Sequence, residues 1–368
     1  MAPSRSGGGR PSRSAPWPRL RRPVRREGAE RYLLVTLVAF AVTVIGTRWF
    51  LELTGFPKIG GGDLHIAHAL WGGVALFAAA LAPILLAGRL VYLVSAGLAG
   101  VGIGLFIDEV GKLITSTNDY FYPAAAPIIY ATFLLAVLVW IRVRRRAAPD
   151  PRAQLLTALE LLEEAVEGDL QDAERDVLQE RLAAAAAEAP TAEQRRLAGD
   201  LLAFVANREI AIAPDPVDRL APIRAGLRAR ADDLLGGRGL RILIVAALLA
   251  IGLGQVAAVF GIGSEVAGDP NAPATALGRF QLIHLVVEAV AGGLVVSGAV
   301  LVSVVGRHRL GWTLAYFGLL VLLTLGDLIS FYVRQFDSIL AVLGHLALLM
   351  AVVVARAPLE AEPEASAR

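Results

Sequence analysis

Long unbroken apolar runs alternate with short charged connections along this chain, without the period-two pattern that barrel strands would need. Crossing about 30 Å of hydrocarbon takes roughly 20 apolar helical residues. Eight runs meet that length, at about 32–53, 64–87, 90–113, 123–142, 240–262, 281–305, 310–333 and 338–356. The spacing predicts membrane helices in two groups of four. The first run follows a basic segment as a signal peptide would, but it is too long for one and lacks a small-residue cleavage site, so it reads as a retained helix.

Two regions have a different pattern. Residues 1–31 form a Gly/Ser/Pro/Arg tail with nine Arg against Glu27 and Glu30, a composition that cannot bury a core. Residues 147–238 separate the two groups of runs. Within 150–237 stand 18 acidic residues and 10 Arg, with Ala and Leu filling most other positions. Asp150-Pro151, Thr191-Ala-Glu-Gln194 and Asp215-Pro216 are helix-start signals, and Gly236-Gly237 is a stop. They predict amphipathic helices near 151–167, 170–187, 191–207 and 215–235. The resulting organisation is a basic tail 1–31, a membrane half 32–146, an acidic helical domain 147–238, a second membrane half 239–356 and a tail 357–368.

Composition agrees with that division. Hydrophobic residues make up 56% of the 368 and charged ones 18%, on the membrane side of soluble averages for both. The absence of cysteine excludes disulfides, thiolate metal sites and cysteine nucleophiles. The net charge of +2 conceals a basic tail and an acidic domain that can attract each other or compete for anionic lipid. The tail lacks interleaved aromatics and a fold, so nucleic acid is not expected as a partner. The helical domain is expected to pack on itself or to support a homo-oligomer.

Basic residues set the orientation. The tail, Arg89, the cluster from Arg142 to Arg146, Arg238, Arg241, Arg307, Arg309 and Arg356 share one side, against Lys58, Lys112, Arg279 and Arg334 on the other. Both termini and the 147–238 insertion are therefore expected in the cytoplasm of a cell-membrane protein. His65 precedes Asp108 by 43 residues, and His284 precedes Asp327 by the same interval. The shared offset also aligns Arg89 with His308 and Asn118 with Asp337. The fold class expected is all-α: a polytopic transmembrane bundle of about eight spans, a 4+4 parallel duplication, with an inserted cytoplasmic helical domain.

Candidate chemistry lies at one depth, toward the outer leaflet. His65, His68, Asp108, Glu109, His284, Glu288, Asp327 and His345 form the expected polar intramembrane cluster. An ionised Asp at a helix centre costs roughly 2.5–3.5 kcal/mol on insertion scales, which pairing, protonation, a cavity or a bound cation must offset. His65, His68 and Asp108 are candidate ligands of a divalent metal, and His68, His284 and His345 are a lesser option for axial haem ligation. The plainer reading has Asp108 paired with Lys112 at i, i+4 and Glu109 directed to headgroups. Trp49, Trp71, Tyr120, Tyr122, Tyr130, Trp140 and Tyr332 mostly mark span ends, as interface anchors do. Gly100-Val-Gly-Ile-Gly104 is a small-residue pattern for close helix packing.

The stretch Gly102-Ile-Gly-Leu-Phe-Ile-Asp-Glu-Val-Gly-Lys-Leu-Ile-Thr115, with Asn118-Asp-Tyr-Phe-Tyr-Pro123 and the upstream His68-Ala-Leu-Trp-Gly-Gly73, resembles the signature of a bacterial family of polytopic membrane proteins. The resemblance covers about residues 64–130 and implies an integral-membrane protein, without a substrate. It makes the first half the first place to seek function. The leading expectation is a transporter, channel or sensor that binds an ion, proton or polar solute at the cluster. The alternatives are a metal-assisted intramembrane enzyme acting on lipid or envelope precursors, and a membrane scaffold with a regulatory cytoplasmic domain.

Overall fold

The computed structural model describes residues 24–26, 28–55, 67–117, 119–120, 122–144, 151–167, 170–206, 225–226, 237–268 and 276–365, with some helix-end side chains left aside. His65, Lys58, Asn118, the tail before Val24 and nearly all of the helix expected at 215–235 lie outside them. Among the described residues every regular element is helical. They divide into two compact units: Met1–Ala29 with Ala147–Asp215, and Glu30–Arg146 with Pro216–Arg368.

The first unit contains helices α6 (Pro151–Glu167), α7 (Asp172–Glu188) and α8 (Ala192–Ala206), close to the expected bounds. Its core is an i, i+3/i+4 stripe from each helix, with Leu155 and Leu161, Leu178 and Leu182, and Ala198 and Val205 buried. The capping box expected at α8 is present: the Gln194 N–H donates to Thr191 Oγ1 at 3.2 Å, and the Thr191 N–H donates to Gln194 Oε1 at 3.4 Å. A second box, Gln171 with Glu174, starts α7. The last residues of the basic tail lie on this acidic unit, with Arg26 Nε 3.5 Å from Glu160 Oε1.

The second unit holds α1 (Ala29–Thr54, which begins at the unit boundary), α2 (His68–Leu85), α3 (Arg89–Asp108), the short α4 (Val110–Ile114) and α5 (Ala125–Arg144). It continues with α9 (Gly237–Gly268), α10 (Ala276–Ser303), α11 (His308–Val321), α12 (Asp327–Arg334) and α13 (Ile339–Ala365). Among the described residues, seven stretches are long and apolar enough to cross a membrane. The seventh, His308–Arg356, is 49 residues, about 73 Å at 1.5 Å per residue and more than twice a hydrocarbon core. It doubles back at Gln335, where φ 51° and ψ −130° end the helix and a 3₁₀ turn, Gln335–Ser338, leads into α13. Arg356 consequently lies 5.3 Å from the Tyr316 ring. The two expected spans 310–333 and 338–356 are thus the arms of one hairpin, joined without an intervening loop.

Exposure in this unit inverts that of a soluble domain. Phe77, Ile84, Val304 and Leu340 are open, while Arg48, Asp108, Glu288 and Asp327 are buried. Such a surface suits acyl chains. Close helix approach relies on α3: a Cβ at Gly104 would fall 2.8 Å from Thr43 of α1, and one at Gly102 would fall 2.7 Å from Leu76 of α2. The Gly100–Gly104 pattern therefore serves two neighbours on two faces. The turns before α3 and α11 each hold a glycine at positive φ, Gly88 at 105° and Gly306 at 72°.

Candidate functional site

The ionisable residues form two groups. In the first, Asp108 ends α3 and is 0% exposed. Its Oδ1 accepts from Arg48 Nε at 2.5 Å, and its Oδ2 accepts from the Tyr120 hydroxyl at 2.7 Å. His68 Nε2 lies 3.0 Å from the same Oδ2, and Arg48 also donates to the Asp108 carbonyl. The other ring nitrogen of His68 lies 3.1 Å from Glu109 Oε1, where Lys112 Nζ donates at 3.0 Å. His68 therefore bridges two adjacent carboxylates.

Several expectations change here. Lys112 pairs with Glu109 and not with Asp108, because the backbone at Glu109 (φ −91°, ψ 12°) interrupts the helix and removes the i, i+4 geometry. Glu109 is buried instead of reaching toward headgroups. Tyr120, expected as an interface anchor, also joins the ion network; its ring lies 4.2 Å from the Arg48 guanidinium, which is 3.9 Å from the Phe336 ring. Burial and the Asp108 charge push the Tyr120 hydroxyl well above its ordinary value, so it remains a neutral donor. Arg48, at 4% exposure, is one residue that sequence reasoning missed. A lone guanidinium inside the first apolar run was the available signal.

The second group surrounds a cavity of about 440 Å³ among second-half helices. His345 Nδ1 of α13 lies 3.0 Å from each oxygen of Asp327, the first residue of α12. His284 and Glu288 share a face of α10 at i, i+4, with Nε2 2.9 Å from Oε1, and Ser330 Oγ is 3.3 Å from the same Nε2. Gln255 joins the two pairs. Its amide nitrogen donates to Glu288 when its oxygen faces His345 Nε2, which lies 3.5 Å from the amide. The result is one chain of polar contacts from Asp327 through His345, Gln255, Glu288 and His284 to Ser330.

Asp327 owes its position to an irregular helix. Residues Leu322–Gly326 form a π turn, in which the Asp327 N–H reaches back to the Leu322 carbonyl. Such turns release backbone acceptors and recur at functional sites. Here the Tyr130 hydroxyl of the first half donates to the Leu323 carbonyl at 2.6 Å. Tyr130, also expected at an interface, is turned inward by this bond.

Of the eight expected site residues, His68, Asp108 and Glu109 meet in one group, and His284, Glu288, Asp327 and His345 meet in the other. His65 lies outside the described residues. Phe336 stands between the groups, stacked on Arg48 while its neighbours Asp337 and Ser338 line the cavity. Among the described residues no three His, Asp or Glu side chains are grouped to hold a metal ion. His68 and Asp108 face each other with Arg48 on the same carboxylate, and each histidine proposed for haem is engaged by a carboxylate. The cavity is lined by second-half residues, whereas the first-half group is an ion network around the buried Asp108 and Glu109.

No protein-family model, curated protein or solved structure matches this chain.

Proposed function

We propose that this chain is a multi-pass membrane protein of the transporter, channel or sensor type, which binds a polar solute or exchanges protons in the Asp327–His345–Glu288–His284 cavity. The observation that carries this reading is a cavity of about 440 Å³ whose wall holds two carboxylate–imidazole pairs linked through Gln255. Buried acids in apolar helices are costly and mark ion or proton pathways. Asp, Glu and His side chains in chains of this kind form the proton relays of pumps and transporters. The Arg48–Asp108 network has a different part in this reading. Through the Arg48–Phe336 contact it braces the 335–338 turn beside the cavity.

The same reading includes a 4+4 parallel duplication, with both termini and the 147–238 region in the cytoplasm, as the positive residues favour. Two hairpins support it: α2–α3 and α10–α11 each turn at a positive-φ glycine beside arginine and lead to a buried aspartate. The resemblance to a polytopic bacterial family belongs to this proposal as well. The surrounding lipid, with anionic headgroups near the basic tail, is the expected partner.

The test is charge displacement after a rapid pH jump on proteoliposomes adsorbed to a solid support. Full-length protein is expected to give a transient current that Asp327→Asn abolishes and Asp108→Asn leaves in proportion to the folded protein. Equal currents from Asp327→Asn and the parent chain, or none from either, would defeat the reading.

A further inference from the structure

The cavity reading names no ligand, but the 334–338 segment supplies a discriminating set of groups. Ser338 is 3% exposed and lines the cavity, and its hydroxyl has no hydrogen-bond partner among the described residues. A buried hydroxyl without a partner is destabilising, and natural structures satisfy nearly all such groups. Waters aside, the group that would satisfy it is one the cavity admits from outside. Ser338 can donate or accept, so its neighbours decide which group that is.

Arg334 and Asp337 line the same cavity, three residues apart and each solvent-exposed. They set a positive and a negative charge beside the buried hydroxyl. Deeper in, Asp327 faces His345 with both oxygens, and Glu288 is engaged by His284 and Gln255. The deep acids are therefore partnered internally, and the segment at 334–338 presents the groups left for a ligand. The rest of the lining includes Ile251, Gly254, Ala258, Ala341 and Gly344, which are small or apolar. They leave room for a short carbon skeleton and offer no further charge.

We propose that the cavity takes a small zwitterion bearing a carboxylate and an ammonium group. Its carboxylate is received by Arg334 and the Ser338 hydroxyl, and its ammonium is held by Asp337 on the acidic side of the cavity. Guanidinium suits a planar carboxylate, and a site that hydrogen-bonds a ligand group strongly rejects analogues lacking it. A bare cation would leave Arg334 and the hydroxyl donor unused, and a simple carboxylate would leave Asp337 opposed by nothing.

This inference rests on the cavity reading, and its test separates the two. Full-length protein in detergent is titrated calorimetrically with L-alanine, L-leucine and 4-aminobutyrate, and with propionate and ethylamine as analogues lacking one charge. At least one zwitterion is expected to bind about tenfold or more tightly than both single-charge probes. Ser338→Ala and Arg334→Gln are each expected to weaken that binding by about tenfold or more. Ser338→Ala should also raise the thermal midpoint of the ligand-free protein, because it deletes an unpaired hydroxyl, so lost binding there is not misfolding. Failure of all three zwitterions overturns the inference, as does ethylamine binding equally well and indifferently to Arg334→Gln. If that happens while pH-jump currents persist, the cavity reading survives without the zwitterion; if the currents are also absent, both fall.

Discussion

Replacing Asp108 by Asn removes the anion facing a guanidinium that has almost no contact with solvent. Arg48 is 4% exposed, and the Tyr120 and Phe336 rings lie beside it. Two unit charges about 4 Å apart attract by about 4 kcal/mol at an effective permittivity of 20. Removing one partner of a buried pair costs about 3–5 kcal/mol, since the other charge stays buried. Asp108→Asn should therefore destabilise by about 3–5 kcal/mol. Arg48→Met should cost less, about 2–3 kcal/mol, because Asp108 keeps Tyr120 and His68 as donors. The double variant leaves neither charge stranded, and its loss should fall short of the sum by about 2–3 kcal/mol. The assay is chemical denaturation of the four full-length proteins in one detergent, followed by circular dichroism. Losses that add to within about 0.5 kcal/mol would refute the pairing.

Two more outcomes follow from the same geometry. Tyr120 is held above its ordinary value of 10.0 by burial and the Asp108 charge, so its proton favours the folded state. That contribution is complete below pH 10.0 and declines as the pH rises beyond it, so Tyr120→Phe should flatten the alkaline fall of the thermal midpoint; parallel curves for the two proteins would contradict this. Gly102→Leu should lower the midpoint sharply, since its Cβ would meet Leu76 Cγ at 2.7 Å and the Gly72 carbonyl at 2.9 Å. Gly97→Ala, with nothing within 4 Å, should leave the midpoint unchanged or raise it, and equal effects at the two sites would show that α2 and α3 are not packed this way.

Local signals carried through to local structure. Pro151 begins α6, the Thr191 box caps α8, and the apolar runs match the membrane-length helices because each feature depends on residues within a turn or two. His284 and Glu288 were readable for the same reason, one helical turn apart. Pairings between helices were not. Arg48 and Asp108 are 60 residues apart, and nothing in the spacing favours that pair over Asp108 with Lys112. The interruption at Glu109 decides it, and such breaks depend on tertiary packing. His345 meets Asp327 only because the chain reverses at Gln335, a residue type that rarely adopts positive φ. The π turn before Asp327 leaves no mark in a Leu-rich run, although it aims the acid at the cavity.

That turn makes Leu322–Gly326 a register device. A π turn holds one residue more than an α turn, and each α-helical residue accounts for about 100° of rotation and 1.5 Å of rise. Relaxation to regular α-helix would swing Asp327 by about 100° about the helix axis, away from His345, while withdrawing the Leu323 carbonyl from Tyr130. The Tyr130 hydroxyl, bonded to the Leu323 carbonyl, helps hold the π register. Through that bond the first half of the protein supports the direction in which the acid of the second half faces.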